Sequence, residues 1–104
     1  MLCALTVRKL KPGTFEDFRK AFMGLANPDD IPDGWVRFNM IRGIEDPDEV
    51  VCFGFFDGTL EQLRASGQEG YSEQQAAIAP YVESVGADAI YEIVENYSRT
   101  GSAA

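Results

Sequence analysis

Residues 35–57, WVRFNMIRGIEDPDEVVCFGFFD, decide how this chain folds. Trp35 to Arg42 reads as a strand. Its alternation puts Trp35, Arg37, Asn39 and Ile41 on one face and Val36, Phe38, Met40 and Arg42 on the other, the second set being the expected core face. Gly43 to Asp48 is an acidic, proline-containing turn. Glu49 to Phe56 is a second strand, apolar through nearly its whole length. A strand of that kind belongs in the middle of a sheet with both faces covered. Gly54 interrupts it, marking a bulge or a close approach of a neighbour to the backbone.

The flanking sequence supplies partners for this hairpin. Leu2 to Leu10 is a strand in which Leu5 and Val7 alternate with Thr6 and Arg8, and Lys11-Pro12-Gly13 stops it. Thr14 opens a helix, with Asp17 completing an approximate capping box. Phe15, Phe18, Phe22 and Leu25 form its apolar stripe, and Asn27-Pro28 ends it. Asp29 to Gly34 is an acidic loop. After the hairpin, Thr59 and Gln62 form a capping box for a short helix that Gly67 to Gly70 breaks. Ser72 and Gln75 read as the cap of another helix. Its apolar face is Ala77, Ile78, Tyr81, Val82 and Val85; Pro80 kinks or restarts it and Gly86 closes it. Ala89 to Glu95 is the last strand. Residues 1–97 read as one domain and 98–104 as a flexible polar tail.

Strand, helix, strand, strand, helices, strand is the order of a ferredoxin-like βαββαβ domain of the α+β class. It predicts a four-stranded antiparallel sheet with the first and third strands central and the helices on one face. The third strand is apolar on both sides: Val51, Phe53 and Phe55 on one, Val50, Cys52 and Phe56 on the other. The face without helices therefore needs a cover, and a second copy packed sheet to sheet supplies it.

Composition narrows the function. The chain has 104 residues and a net charge of -8, with an isoelectric point near 4.3. An acidic surface argues against nucleic acid and against an anionic membrane, and no apolar run is long enough to span a bilayer. The start does not read as a signal peptide, which makes the cytoplasm the expected location. Cys3 and Cys52 lack metal-binding spacing and read as buried reduced thiols. There is no histidine. That removes Ser-His-Asp and Cys-His catalysis, the usual zinc ligands and the common haem ligand, and leaves acid-base work to carboxylates, Tyr, Lys, Cys or water. No metal or cofactor motif occurs.

Several segments together resemble the dimeric α+β barrel superfamily, in particular the antibiotic-biosynthesis-monooxygenase-like domains. They are ALTVRKLKPGTFEDF, the hairpin with its turn EDPDEV, FFDGTLEQL, and IAPYVESV followed by DAIYEIVE. The resemblance lies in order, spacing and texture over nearly the whole chain. It implies a homodimer, a ligand cleft between sheet and helices, and a cofactor-independent oxygenase acting on a small aromatic or quinol-type substrate. Haem-degrading members use a strand-one Asn, a Trp ending the third strand and a His on the next helix. Here those regions hold Thr6 and Arg8, then Phe56, and no histidine, which argues against haem degradation.

The candidate site follows from side-chain chemistry. Asn39 is suited to hydrogen-bond a carbonyl or developing enolate, and Arg37 to hold a phenolate or carboxylate; these are the candidate catalytic residues. Trp35, Tyr71, Tyr81 and Arg8 are the candidate substrate-binding residues, by stacking, phenol donation or charge. Each has a plainer reading: Asn39 and Arg37 as solvent or interface groups, Trp35 and Tyr81 as packing, Tyr71 as a loop residue, Arg8 as surface. If the strand-two set faces a partner sheet, it belongs to an interface and not to a cleft. The competing function is a non-catalytic small-molecule-binding or dimerisation domain; an isomerase or lyase working by proton transfer alone is a third reading.

Overall fold

The computed structural model describes residues 1–23, 33–66 and 68–99, with side chains omitted at 23 and 68–71. The elements are β1 (Leu2–Leu10), α1 (Phe15–Met23), β2 (Trp35–Arg42), β3 (Glu49–Phe56), α2 (Leu60–Ala65), α3 (Gln68–Ile78), a 3₁₀ turn (Ala79–Tyr81) and β4 (Val82–Glu92). The sheet runs β2-β3-β1-β4 and every pairing is antiparallel. This is the expected ferredoxin-like α+β arrangement, with β1 and β3 central.

Register fixes which residues share a face. Arg8 lies opposite Val50 and Val85, Thr6 opposite Cys52 and Asp88, and Leu10 opposite Val82. These residues face the helices. The core forms there from Leu10, Phe18, Val50, Cys52 and Ile78, with Phe15, Phe22, Met40, Tyr81 and Val82 packed around them. The phenylalanine stripe of α1 thus does what its spacing predicted; Leu25 and the Asn27-Pro28 stop lie outside the described residues.

Strand β2 departs from simple alternation. Trp35 pairs with Phe56 while Arg37 pairs with Phe55, so Val36 is an extra residue. Such a bulge reverses the face of everything before it. Trp35 therefore joins Phe38 and Met40 on the helix side, and the expected grouping of Trp35 with Arg37 and Asn39 does not hold. Val36, expected in the core, is 58% exposed. Across the strand pair, a Cβ at Gly54 would lie 2.7 Å from the Phe38 ring and 2.9 Å from Trp35. The glycine is there because two aromatic rings occupy its side-chain space.

The C-terminal third also differs from expectation. Helix α3 starts at Gln68, so Gly70 lies within it and Ser72 is interior, not a cap. It stops at Ile78 and Pro80 takes the opening of the 3₁₀ turn, as expected of a residue that lacks an N–H and disfavours helix before it. Beyond it the chain is strand: Val82, Val85 and Gly86 belong to β4, which ends at Glu92 and not Glu95. The reason is local. Val82 faces Leu10 and Val85 faces Arg8, while Ser84 faces Lys9, leaving Glu83 as an extra residue. A bulge turns a spacing of three into one sheet face, and that spacing imitates a helix. Gly86 is the second extra residue, between Val85 opposite Arg8 and Ala87 opposite Val7.

Caps divide in the same way. Thr59 and Gln62 form the expected reciprocal capping box of α2. The Thr14 hydroxyl instead donates to the carbonyl oxygens of Lys11, at 2.7 Å, and Tyr81, at 3.3 Å. It ties the entry of α1 to the start of β4. The hairpin turn is pinned by the Arg42 Nε donating to the Pro47 carbonyl and by a Lys9–Asp46 ion pair.

Candidate functional site

Between the β1–β4 half of the sheet and the end of α3 lies a cavity of about 230 Å³, lined by Arg8, Gln75, Ile78, Ala79, Val82 and Val85. The fold dictates this lining. Arg8 occupies a helix-facing position of the central strand β1. The two β4 valines share its face because of the bulge at Glu83. Gln75 and Ile78 stand three apart on α3, hence on one side of it.

Arg8 is the unusual member. It is 3% exposed, the single buried charged residue among those described. Its guanidinium carbon lies 5.9 Å from the Phe18 ring centroid. Its charge acts to lower the Cys52 thiol, although burial prevails and pushes that thiol up. Its Nη1 has no hydrogen-bond partner, and neither ion pair formed among the described residues involves it. Gln75 Nε2 on the facing wall is likewise buried and unpartnered. Buried polar groups are almost always paired, and leaving a charged donor unpaired costs about 1–3 kcal/mol or more. Two residues carrying such donors line this one cavity, which marks it as a candidate site for an acceptor.

Of the expected site residues whose side chains are described, Arg8 alone reaches this cavity. Trp35 packs at 4.7 Å from Phe38 and 5.1 Å from Phe56, ring centroid to centroid. Its Nε1 donates to Ser66 Oγ at 3.0 Å, beside the end of α2. Tyr81 packs against the core. Tyr71 sits within α3, and its side chain lies outside the description. Arg37 and Asn39 point to the sheet face away from the helices, level with Phe55 and Phe53. There Arg37 stacks over Phe55 at 4.9 Å and helps line a second hollow of about 390 Å³ with Met1, Val36, Ile93, Glu95 and Asn96. The Asn39 carbonyl oxygen is buried without a partner.

Gln75 was missed as a site residue because it was read as part of a helix cap. With α3 starting at Gln68, its place one turn before the buried Ile78 becomes plain. No group of three or more His, Cys, Asp or Glu side chains suited to a metal occurs among the described residues. No helix among them is long and apolar enough to cross a membrane.

At the level of sequence, no family model and no curated protein matches the chain. Solved structures do. A proposed antibiotic biosynthesis monooxygenase from Deinococcus radiodurans superposes with a TM-score of 0.76 at 14% identity, covering 97% of this chain and 100% of that one. SnoaB, a cofactor-independent oxygenase from Streptomyces nogalater, gives 0.75 at 14% identity, with 94% and 97% covered. This chain has the antibiotic biosynthesis monooxygenase-like fold. A proposed monooxygenase of the same kind from Nitrosomonas europaea adds a TM-score of 0.74 at 16% identity, over 91% of this chain and 100% of that one. At such identities it is the monooxygenase-like fold that is shared, and the chemistry must be argued from this chain's own residues.

Proposed function

We propose that the protein is a cofactor-independent oxygenase of a small aromatic or quinol-type substrate, bound in the cavity between β1, β4 and α3. The observation that carries this reading is that Arg8 and Gln75, each with a buried unpartnered N–H, line a cavity whose other walls are apolar. An apolar pocket with a few convergent polar groups is the usual form of a small-molecule site. The fold is also that of SnoaB.

The chemistry such a site supports begins with ionisation. A guanidinium beside a bound phenol or enol favours its anion and lowers its pKa. No carboxylate lines the cavity among the described residues, so the proton leaves to solvent. The electron-rich anion reduces dioxygen directly. A carbon–oxygen bond forms, the peroxide loses water, and a carbonyl remains. One dioxygen thus converts a CH₂, or a phenol's para C–H with its hydroxyl, into a carbonyl or quinone plus one water. Fixed donors aimed at the oxyanion assist because they need no reorganisation as charge develops.

Arg37 and Asn39 take a different place in this proposal. They sit on the open sheet face with Val51, Phe53 and Phe55, beside Val36 and Ile41, which are 58% and 51% exposed. A second copy packed against that face would cover these apolar groups and offer the Asn39 carbonyl a donor. The working unit proposed is a homodimer in the cytoplasm. Oxygen uptake by metal-stripped protein on a panel of quinols and phenols tests the assignment. Loss of uptake in Arg8→Gln with retention in Asn39→Ala places the site at the helix–sheet cavity; the reverse pattern moves it to the open face; no uptake with any compound leaves the fold serving ligand binding alone.

A further inference from the structure

The two donors say more than that the cavity binds something. Both are donors, one carries a full positive charge, and no acidic side chain among the described residues lines the space with them. Arg8 is nine-tenths buried and more, so water cannot reach most of it. A neutral ligand would leave that cation without a counter-charge. In a protein of net charge -8, acids are abundant, yet Arg8 takes part in neither ion pair formed among the described residues. Size bears on the ligand too: the space is about 230 Å³ and open to solvent on one side, so it sets the size of the part of a ligand that it holds. One aromatic ring with small substituents is suited to such a space, and Ile78, Val82 and Val85 supply apolar walls for it.

We propose that this cavity selects a single-ring aromatic monoanion whose charge sits on oxygen, a phenolate or a carboxylate, held by the side chains of Arg8 and Gln75. The inference deepens the oxygenase reading, on whose cavity it rests, by naming the ligand class and its anchors. Arg8 supplies the charge from the sheet, held in place by Phe18 at its face and by the central strand that carries it. Gln75 supplies a neutral donor from the helix. A guanidinium can grip two oxygens of a carboxylate or one of a phenolate, so the two sources share one recognition chemistry. Binding also supplies the counter-charge that the buried Arg8 lacks among the described residues. For that reason occupancy should stabilise the fold in proportion to ligand concentration over Kd.

The experiment is thermal unfolding at fixed protein concentration with four probes: benzoate, para-nitrophenolate above its pKa, and the neutral isosteres benzamide and para-nitroanisole. Expected is a concentration-dependent rise in Tm with at least one anion and none with its neutral partner. A rise confined to benzoate assigns a carboxylate, one confined to nitrophenolate a phenolate. In Arg8→Met the ligand-dependent rise disappears, and in Gln75→Leu the apparent Kd weakens about tenfold, as expected for one lost hydrogen bond worth about 1.4 kcal/mol. Equal shifts with anions and neutral isosteres, no shift with any probe, or an anion shift that survives Arg8→Met overturns the proposal. The outcome separates it from the oxygenase reading. Anion binding without oxygen uptake keeps this inference and removes the oxygenase. Uptake that is lost in Arg8→Met, on a substrate that stays neutral and with no Tm rise specific to the anions, keeps the oxygenase and removes this inference.

Discussion

Replacing Arg8 by methionine should leave the empty protein as stable as before or more so, which is unusual for a residue 3% exposed at the centre of a sheet. One contribution is lost, the contact of the guanidinium with the Phe18 ring at 5.9 Å, worth about 0.5–2 kcal/mol. Against it stands the release of a buried cation that has an unpaired Nη1 and takes part in neither ion pair formed among the described residues. Replacing buried charge by an apolar side chain of similar length is commonly neutral or stabilising by about 1–4 kcal/mol. The balance favours the variant by about 1 kcal/mol, or a Tm rise of about 4–8 °C for a domain of this size. Thermal unfolding followed by circular dichroism, with urea titration at the same protein concentration, measures it. A loss of about 2 kcal/mol or more with an unchanged urea m-value would refute the reasoning. It would show that Arg8 holds the fold together and is not kept, at a cost in stability, for a ligand.

Gly54→Ala places a methyl 2.7 Å from the Phe38 ring; overpacking of this kind costs about 1–3 kcal/mol, seen as a lower urea midpoint. Burial raises the Cys52 and Cys3 thiols above the ordinary thiol value of 9.0. Their contribution is fully present below the unfolded pKa and is lost as pH rises from there through the folded values, because unfolded thiols ionise first. Stability should therefore fall on going from neutral pH into the range above 9.0, and Cys52→Ala should flatten that fall in a pH series of urea midpoints. Phe53→Glu sets a charge on the open face and should halve the mass seen in sedimentation equilibrium; a wild type already monomeric at micromolar concentration would contradict the proposed dimer.

Much of this architecture was legible before any coordinates, for identifiable reasons. The strands β1, β2 and β3 carry unbroken apolar or alternating runs bounded by Pro, Gly and acidic turns. Thr59 and Gln62 announce α2 because both halves of the capping box are local. What escaped the sequence came from bulges. An extra residue at Val36 carries Trp35 away from Arg37 and Asn39, and one at Glu83 gives Val82 and Val85 the spacing of a helix. A bulge is set by the pairing of two strands far apart in sequence, so neither strand alone reveals it. The cavity was half visible. Arg8 stood out as a charge in an alternating strand, but its face depended on register. Gln75 looked like a cap because the start of α3 is marked by no strong local signal. Only the register of β1 against β4, together with the true length of α3, brings the two donors together.

The central claim is that the cavity beside Arg8 turns over an electron-rich aromatic with dioxygen and no cofactor. Heavy-oxygen labelling with chelator-treated protein tests it most directly. Incubated with single-ring quinols and phenols under labelled dioxygen, the wild type should place one labelled atom in the product carbonyl and the other in water, and Arg8→Gln should reduce product at least tenfold while remaining folded. Incorporation no greater than in protein-free buffer, or labelling undiminished in Arg8→Gln, would contradict the account.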